Sequence, residues 1–307
     1  MWPFSKHIAV LISLCLIFIP VVPTFADVFD EIRQAYKSGD NTKAIKLLSE
    51  EANKGNAQAQ FNLGVMYYNG TGVTQDFDAA ARWYSLAAAK GYVKAINNLG
   101  LMFQKGIGVQ QDFNKAFKMY QLAAEEGDAI GQLNLGDMYA NGAGVIQDYQ
   151  EAIKWYKLAA AQGEVAAQNH LGIIYEDGTG VPQNYKEAVK WYKLAADNGH
   201  KTAQFNLGLL YLKGKGVPKN AKEALKLYRL AADNGETTAQ FNLGLLYLNG
   251  MGVKKDNVLG YAWMTVAAAN GNKDAQDSME SISGKMTSSQ IKKAQETAKD
   301  IWAKQQK

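Results

Sequence analysis

The stretch Ala239-Gln-Phe-Asn-Leu-Gly-Leu-Leu-Tyr247 contains the pair Leu243-Gly244. The same pair stands at Leu63-Gly64, Leu99-Gly100, Leu135-Gly136, Leu171-Gly172 and Leu207-Gly208, at steps of 36 residues with no insertion. A fixed period of this length is the signature of a repeat array and outranks any local reading. A Gly-x-Gly-Val loop keeps the same register, starting at Gly70, Gly106, Gly142, Gly178, Gly214 and Gly250. A further glycine closes each unit at Gly91, Gly127, Gly163, Gly199, Gly235 and Gly271. Four fixed positions per unit, two of them in the loop, therefore account for most of the 29 glycines in this 307-residue chain. They are punctuation between elements, so the glycine excess does not mean flexibility.

Each unit reads as two helices. In the first unit Ala59, Leu63, Met66 and Tyr67 fall on one helical face, and Gly70 ends the helix as a residue that tolerates positive φ. Asp76 opens the second helix as N-cap, and Asp112, Asp148, Asn184, Asn220 and Asp256 repeat it. Glu151, Glu187 and Glu223, three residues after a cap, have the spacing of a capping box. Ala80, Trp83, Tyr84 and Ala87 make the second apolar face, and Gly91 stops it. Gly64 and the alanines let helix backbones approach closely, and the aromatics fill the space between. A single pair of this kind cannot bury its own apolar face, but copies stacked on one another can. The expected architecture is one all-α solenoid of stacked antiparallel helix pairs. It has a signal segment over 1–26, a shortened leading repeat over 27–55, and six units over 56–91, 92–127, 128–163, 164–199, 200–235 and 236–271. A partial repeat and a polar capping helix fill 272–307, the helix opened by Thr287 and running to about Ala303.

The N-terminus has a basic start at Lys6, a short apolar run from Ile8 to Ile19, and Thr24-Phe25-Ala26 before Asp27. This order describes a secretory signal cleaved after Ala26. The run is roughly 12 residues, too short for the roughly 20 of a spanning helix. The expected location is therefore periplasmic or secreted. Cleavage removes Cys15 and His7, leaving no thiol and the two histidines His170 and His200. That argues against disulfide frameworks, cysteine nucleophiles and the usual zinc sites, so no metal or cofactor is expected. The net charge of +4 does not call for nucleic acid.

The line 239–247, the Gly-x-Gly-Val loop, and endings such as Glu-Ala-Val-Lys-Trp-Tyr-Lys-Leu-Ala-Ala over 187–196 resemble the tetratricopeptide-related Sel-one-like repeat family over nearly all of the chain after the signal. The resemblance implies a right-handed superhelix that serves as an adaptor or scaffold for another protein or peptide, an envelope enzyme or a host factor among exported bacterial members. It brings two alternatives: a cell-wall or β-lactam hydrolase, associated with a cysteine-rich branch that this chain leaves by lacking cysteines, and an effector that engages host proteins.

The glycine loops lack Gly-Lys-Ser/Thr and join helix to helix, so they read as turns and not as phosphate cradles. The Trp and Tyr stripe reads as core. His170 stands where the other units carry Asn62, Asn98, Asn134, Asn206 and Asn242, a position expected to reach a neighbouring repeat's backbone. His200, at a helix start, is expected to be exposed. No spacing points to a catalytic residue.

If the first helices line a concave side, their free positions include Phe61 and Tyr68 in the first unit. In the middle units they are mixed and polar. In the last two they are wholly apolar: Phe205, Leu209, Leu212, Phe241, Leu245 and Leu248. Apolar surface on that scale marks an interaction site. The reading leaves two outcomes open: a free groove, or a groove covered by the C-terminal helix or by curvature. Residues 27–150 hold 11 basic and 14 acidic side chains, and 151–307 hold 21 and 15. Lys213, Lys215, Lys219, Lys222, Lys226 and Arg229 form a basic patch, either a solvated face or a surface that steers an acidic partner.

Overall fold

The structure, a computed structural model, describes residues 26–305. The expected signal segment up to Phe25 lies outside the described residues. Sixteen helices and no strands are present among the described residues. Their contacts divide into two compact units, one up to Tyr92 and one from Val93.

The first unit holds α1 (Ala26–Lys37), α2 (Asn41–Asn53), α3 (Ala57–Asn69) and α4 (Phe77–Ala88). Ala44, Leu48, Ala59 and Leu63 are buried together, with Trp83 packed against them. The second unit pairs α5 (Val93–Lys105) with α6 (Phe113–Glu125), α7 (Ala129–Asn141) with α8 (Tyr149–Ala161), and α9 (Val165–Asp177) with α10 (Tyr185–Asp197). It continues with α11 (Lys201–Lys213) and α12 (Ala221–Asp233), then α13 (Thr237–Asn249) and α14 (Asn257–Ala269). Each second helix also packs on the following first helix, which makes this unit a solenoid of stacked pairs. It ends with α15 (Lys273–Ser283) and α16 (Ser288–Gln305).

The glycine of the Leu-Gly pair explains how close each pair comes. A Cβ on Gly136 would lie 2.7 Å from the Tyr156 ring, and one on Gly208 would lie 2.7 Å from the Tyr228 ring. Gly64 with Tyr84, Gly100 with Tyr120, and Gly172 with Tyr192 repeat the contact. These five tyrosines are almost wholly buried. Where α14 carries Met264 instead, Gly244 meets that side chain and the Gly260 carbonyl.

The caps follow the sequence reading in part. Asp76, Asp112, Asp148, Asn184, Asn220 and Asp256 all accept backbone N–H bonds as N-caps, and Gly70, Gly142, Gly178, Gly214 and Gly250 end first helices with left-handed φ. The glutamates do not complete capping boxes. The Asp148 N–H donates to the Tyr139 carbonyl, Asn184 to Tyr175 and Asn220 to Tyr211, so the donor a box would satisfy is already taken by the first helix. Glu151, Glu187 and Glu223 pair with Lys154, Lys190 and Lys226 instead. A true box forms at Thr287 and Gln290, which exchange bonds at the start of α16.

Neighbouring repeats are tied by a residue the sequence reading passed over. Gln132 donates to the Ala124 carbonyl at the end of the preceding second helix, and Gln168, Gln204, Gln240 and Gln276 do the same to Ala160, Ala196, Ala232 and Ala268. At the asparagine position Asn242 donates instead to the Thr238 carbonyl in its own helix.

The glycine contact yields a prediction. Gly136→Ala improves helix propensity by up to about 1 kcal/mol, yet overpacks the site by roughly 1–3 kcal/mol. A net loss of about 1–2 kcal/mol is expected in denaturant melts.

Candidate partner-binding face

The first helices of the second unit present a row of half-buried positions, one repeat to the next. Reading from α5 these are Leu101 and Gln104, then Asp137 and Ala140, Ile173 and Glu176, Leu209 and Leu212, and Leu245 and Leu248. The buried tyrosines reach this row from behind. Tyr120 donates to Gln104 at 2.9 Å, Tyr156 to Asp137 at 2.7 Å, and Tyr192 to Glu176 at 2.8 Å. The same rings that fix helix spacing therefore orient the polar groups of the face. In the fifth repeat the row turns to leucine, and the buried Tyr228 hydroxyl has no hydrogen-bond partner among the described residues.

The phenylalanines, like the leucines of the face, pack partly against the repeat interior. Phe205 stacks on Tyr228 with centroids 5.2 Å apart, and Phe241, Leu245 and Leu248 pack against the buried Met264, Ala267 and Ala275. Leu212 packs on the core around Tyr228. In the first unit Phe61 lies between Tyr84 and Tyr92, and Tyr68 meets Phe77 edge-on. All eight predicted face residues are half-buried, with part of each side chain open to solvent.

The C-terminal helix lies along α14. Its buried Ala294 and Ala298 meet Tyr261, Ala262 and Val266, and Gln305 donates to the Ala232 carbonyl at 2.7 Å. The expected basic patch is exposed: Lys213, Lys215 and Lys219 flank the loop before α12, and Lys222, Lys226 and Arg229 lie on it. Lys215 donates to the Tyr185 hydroxyl at the start of α10 and sits 4.5 Å from the ring centroid.

His170 stacks on Tyr156, with its Nε2 3.6 Å from the Asp137 carboxylate. Burial pushes the Asp137 carboxyl up, and His170 and the Tyr156 hydroxyl pull it back. His200 is half-buried, contrary to the expected exposure, because it is the N-cap of α11: its Nδ1 accepts the Ala203 N–H at 3.2 Å. Burial, then the charges of His170 and Lys201, lower its pKa to about 4. Among the described residues no cluster of three or more His, Cys, Asp or Glu is arranged to hold a metal. No described helix is long and apolar enough to cross a membrane.

The Sel1 repeat model matches residues 57–92, 93–128, 129–164, 165–200, 201–236 and 237–272, each segment opening on the first residue of a first helix. The chain is similar to the crystal structure of a Sel1 repeat protein from Oxalobacter formigenes, with 36% identity over 78% of this chain and 99% of that one, and a TM-score of 0.73. It is also similar to c5321, described as a protective antigen of uropathogenic Escherichia coli with an SLR fold, at 30% identity over 88% and 74% and a TM-score of 0.40. Helicobacter pylori cysteine rich protein B matches at 27% identity over 42% and 92%, with a TM-score of 0.35. No curated protein matches the chain.

The buried cap makes stability depend on pH. The folded His200 pKa lies below the unfolded value of 6.5, so the unfolded chain binds more protons as pH falls through that range. Stability is fully present above about pH 6.5 and declines toward pH 4, by at most about 3 kcal/mol. His200→Asn keeps a capping side chain and is expected to flatten this acid limb in melts between pH 7 and pH 4. An unchanged slope would show that His200 does not set it.

Proposed function

The chain belongs to the Sel1 repeat family, and from that premise we propose that it is an exported scaffold that holds a partner protein or peptide on the face lined by its first helices. Sel1 repeats mediate protein–protein interaction, and proteins built from them are typically non-catalytic scaffolds. Export rests on the basic start, short apolar run and small-residue ending of residues 1–26.

One observation carries the choice of face. The row changes from mixed to wholly apolar along the second unit while its backbone stays the same: Gln104, Asp137 and Glu176, each beside an apolar neighbour, give way to Leu209, Leu212, Leu245 and Leu248. The polar members are already oriented by buried tyrosine hydroxyls, and a rigid face of this kind loses little conformational freedom on binding. Leu212, Leu245 and Leu248 pack against the buried core, and all four leucines are only half-buried, which leaves apolar surface for a partner to cover. A partner matched to this row carries polar or charged groups at one end and an apolar run at the other.

Leu209→Arg tests the reading, since Leu209 is half-buried and central to the apolar end. Ile146→Arg, at a loop residue with 89% exposure, is the control. The expected result is a roughly tenfold or greater loss of partner recovered from the cell envelope with Leu209→Arg, at unchanged helicity, and none with Ile146→Arg. Undiminished recovery with Leu209→Arg would remove the first-helix face as the binding site.

A further inference from the structure

The second helices carry a separate periodic feature. Leu122, Leu158, Leu194 and Leu230 stand 36 residues apart and are 41%, 49%, 43% and 42% exposed. The next residue in this register is Val266 on α14, and it is 1% exposed. The difference is α16, whose stripe of Ile291, Ala294, Ala298 and Ile301 covers Tyr261, Ala262 and Val266. The chain thus shows what this helix face accepts: an amphipathic helix. Only in the sixth repeat is the face stripped of charge. Ala262 and Thr265 stand where α12 has Lys226 and Arg229 and α10 has Lys190 and Lys193.

The uncovered faces differ from the covered one in charge. On α10, Lys186, Lys190 and Lys193 outnumber Glu187 and Asp197; on α12, Lys222, Lys226 and Arg229 outnumber Glu223 and Asp233. Lys190 and Lys226 are paired within their helices, and Arg229 donates to the Tyr247 hydroxyl. The exposed Lys186, Lys193 and Lys222 remain, and Lys213, Lys215 and Lys219 add to them from the loop before α12. Lys215 brings that loop against Tyr185, the first residue of α10. The exposed leucines on α10 and α12 are therefore apolar seats with a basic rim.

We propose that α10 and α12 dock an amphipathic helix of an acidic partner on Leu194 and Leu230, seated as α16 is seated on α14. The apolar stripe of that helix covers the leucines, and its glutamates or aspartates meet the lysine rim. This surface is distinct from the first-helix row, so the two readings stand or fall separately.

The test uses the full chain and a labelled 18-residue peptide. The peptide keeps the α16 stripe of residues 288–305, with Lys292, Lys293, Lys299 and Lys304 replaced by glutamate; the unmodified peptide is the control. Fluorescence anisotropy at low salt is expected to show the acidic peptide binding at least about tenfold more tightly than the control, with affinity falling as salt rises. The double variant Leu194→Glu, Leu230→Glu is expected to abolish that binding, with an unchanged melting curve because both leucines are exposed. Three results would overturn the proposal: no binding of the acidic peptide, equal binding of the basic control, or binding that survives the double variant. So would preferential binding to phosphatidylserine vesicles, which would assign the rim to a lipid surface.

Discussion

A tyrosine ring on a glycine α-carbon sets the geometry of five of the six repeats. Gly64, Gly100, Gly136, Gly172 and Gly208 leave no room for even a methyl group beneath their tyrosines. The contact fixes how closely the two helices of a repeat approach, and so how the apolar faces close. It also carries the fold into the first-helix row. In the second, third and fourth repeats the tyrosine hydroxyl emerges against a polar first-helix side chain and orients it. Packing and the orientation of these polar groups therefore share one side chain.

The repeats are regular in their backbone and irregular in their surfaces, and both proposed binding surfaces rest on those irregularities. Along the first helices the row moves from Gln104, Asp137 and Glu176 to leucine. Along the second helices the lysine-rimmed leucines give way, in the sixth repeat, to the uncharged face that α16 occupies. A solenoid permits this because each repeat is held by its neighbours and can vary its free faces without disturbing distant ones.

Much of this was legible in the sequence. Leu-Gly at 36-residue steps, the cap residues and the closing glycines specify the helix pairs because each has a local physical cause. The failures were tertiary. The capping boxes do not form because first-helix carbonyls reach the N-cap donors first. His200 is half-buried because its imidazole caps α11. Two further signals stand in the sequence. The glutamine at 132, 168, 204, 240 and 276 keeps the period and ties neighbouring repeats, and the loss of lysine and arginine at Ala262 and Thr265 marks the seat of α16.

The central claim is that the glycine and the tyrosine ring act as one unit. A double-mutant cycle of Gly172→Ala and Tyr192→Leu, read by chemical denaturation, tests it directly. The loss of the Tyr192–Glu176 bond enters both arms that carry Tyr192→Leu and cancels. The account predicts that Gly172→Ala is destabilising beside Tyr192 and close to neutral beside Leu, a coupling of about 1 kcal/mol or more. Additivity within about 0.5 kcal/mol would contradict it, since independent sites add to that precision.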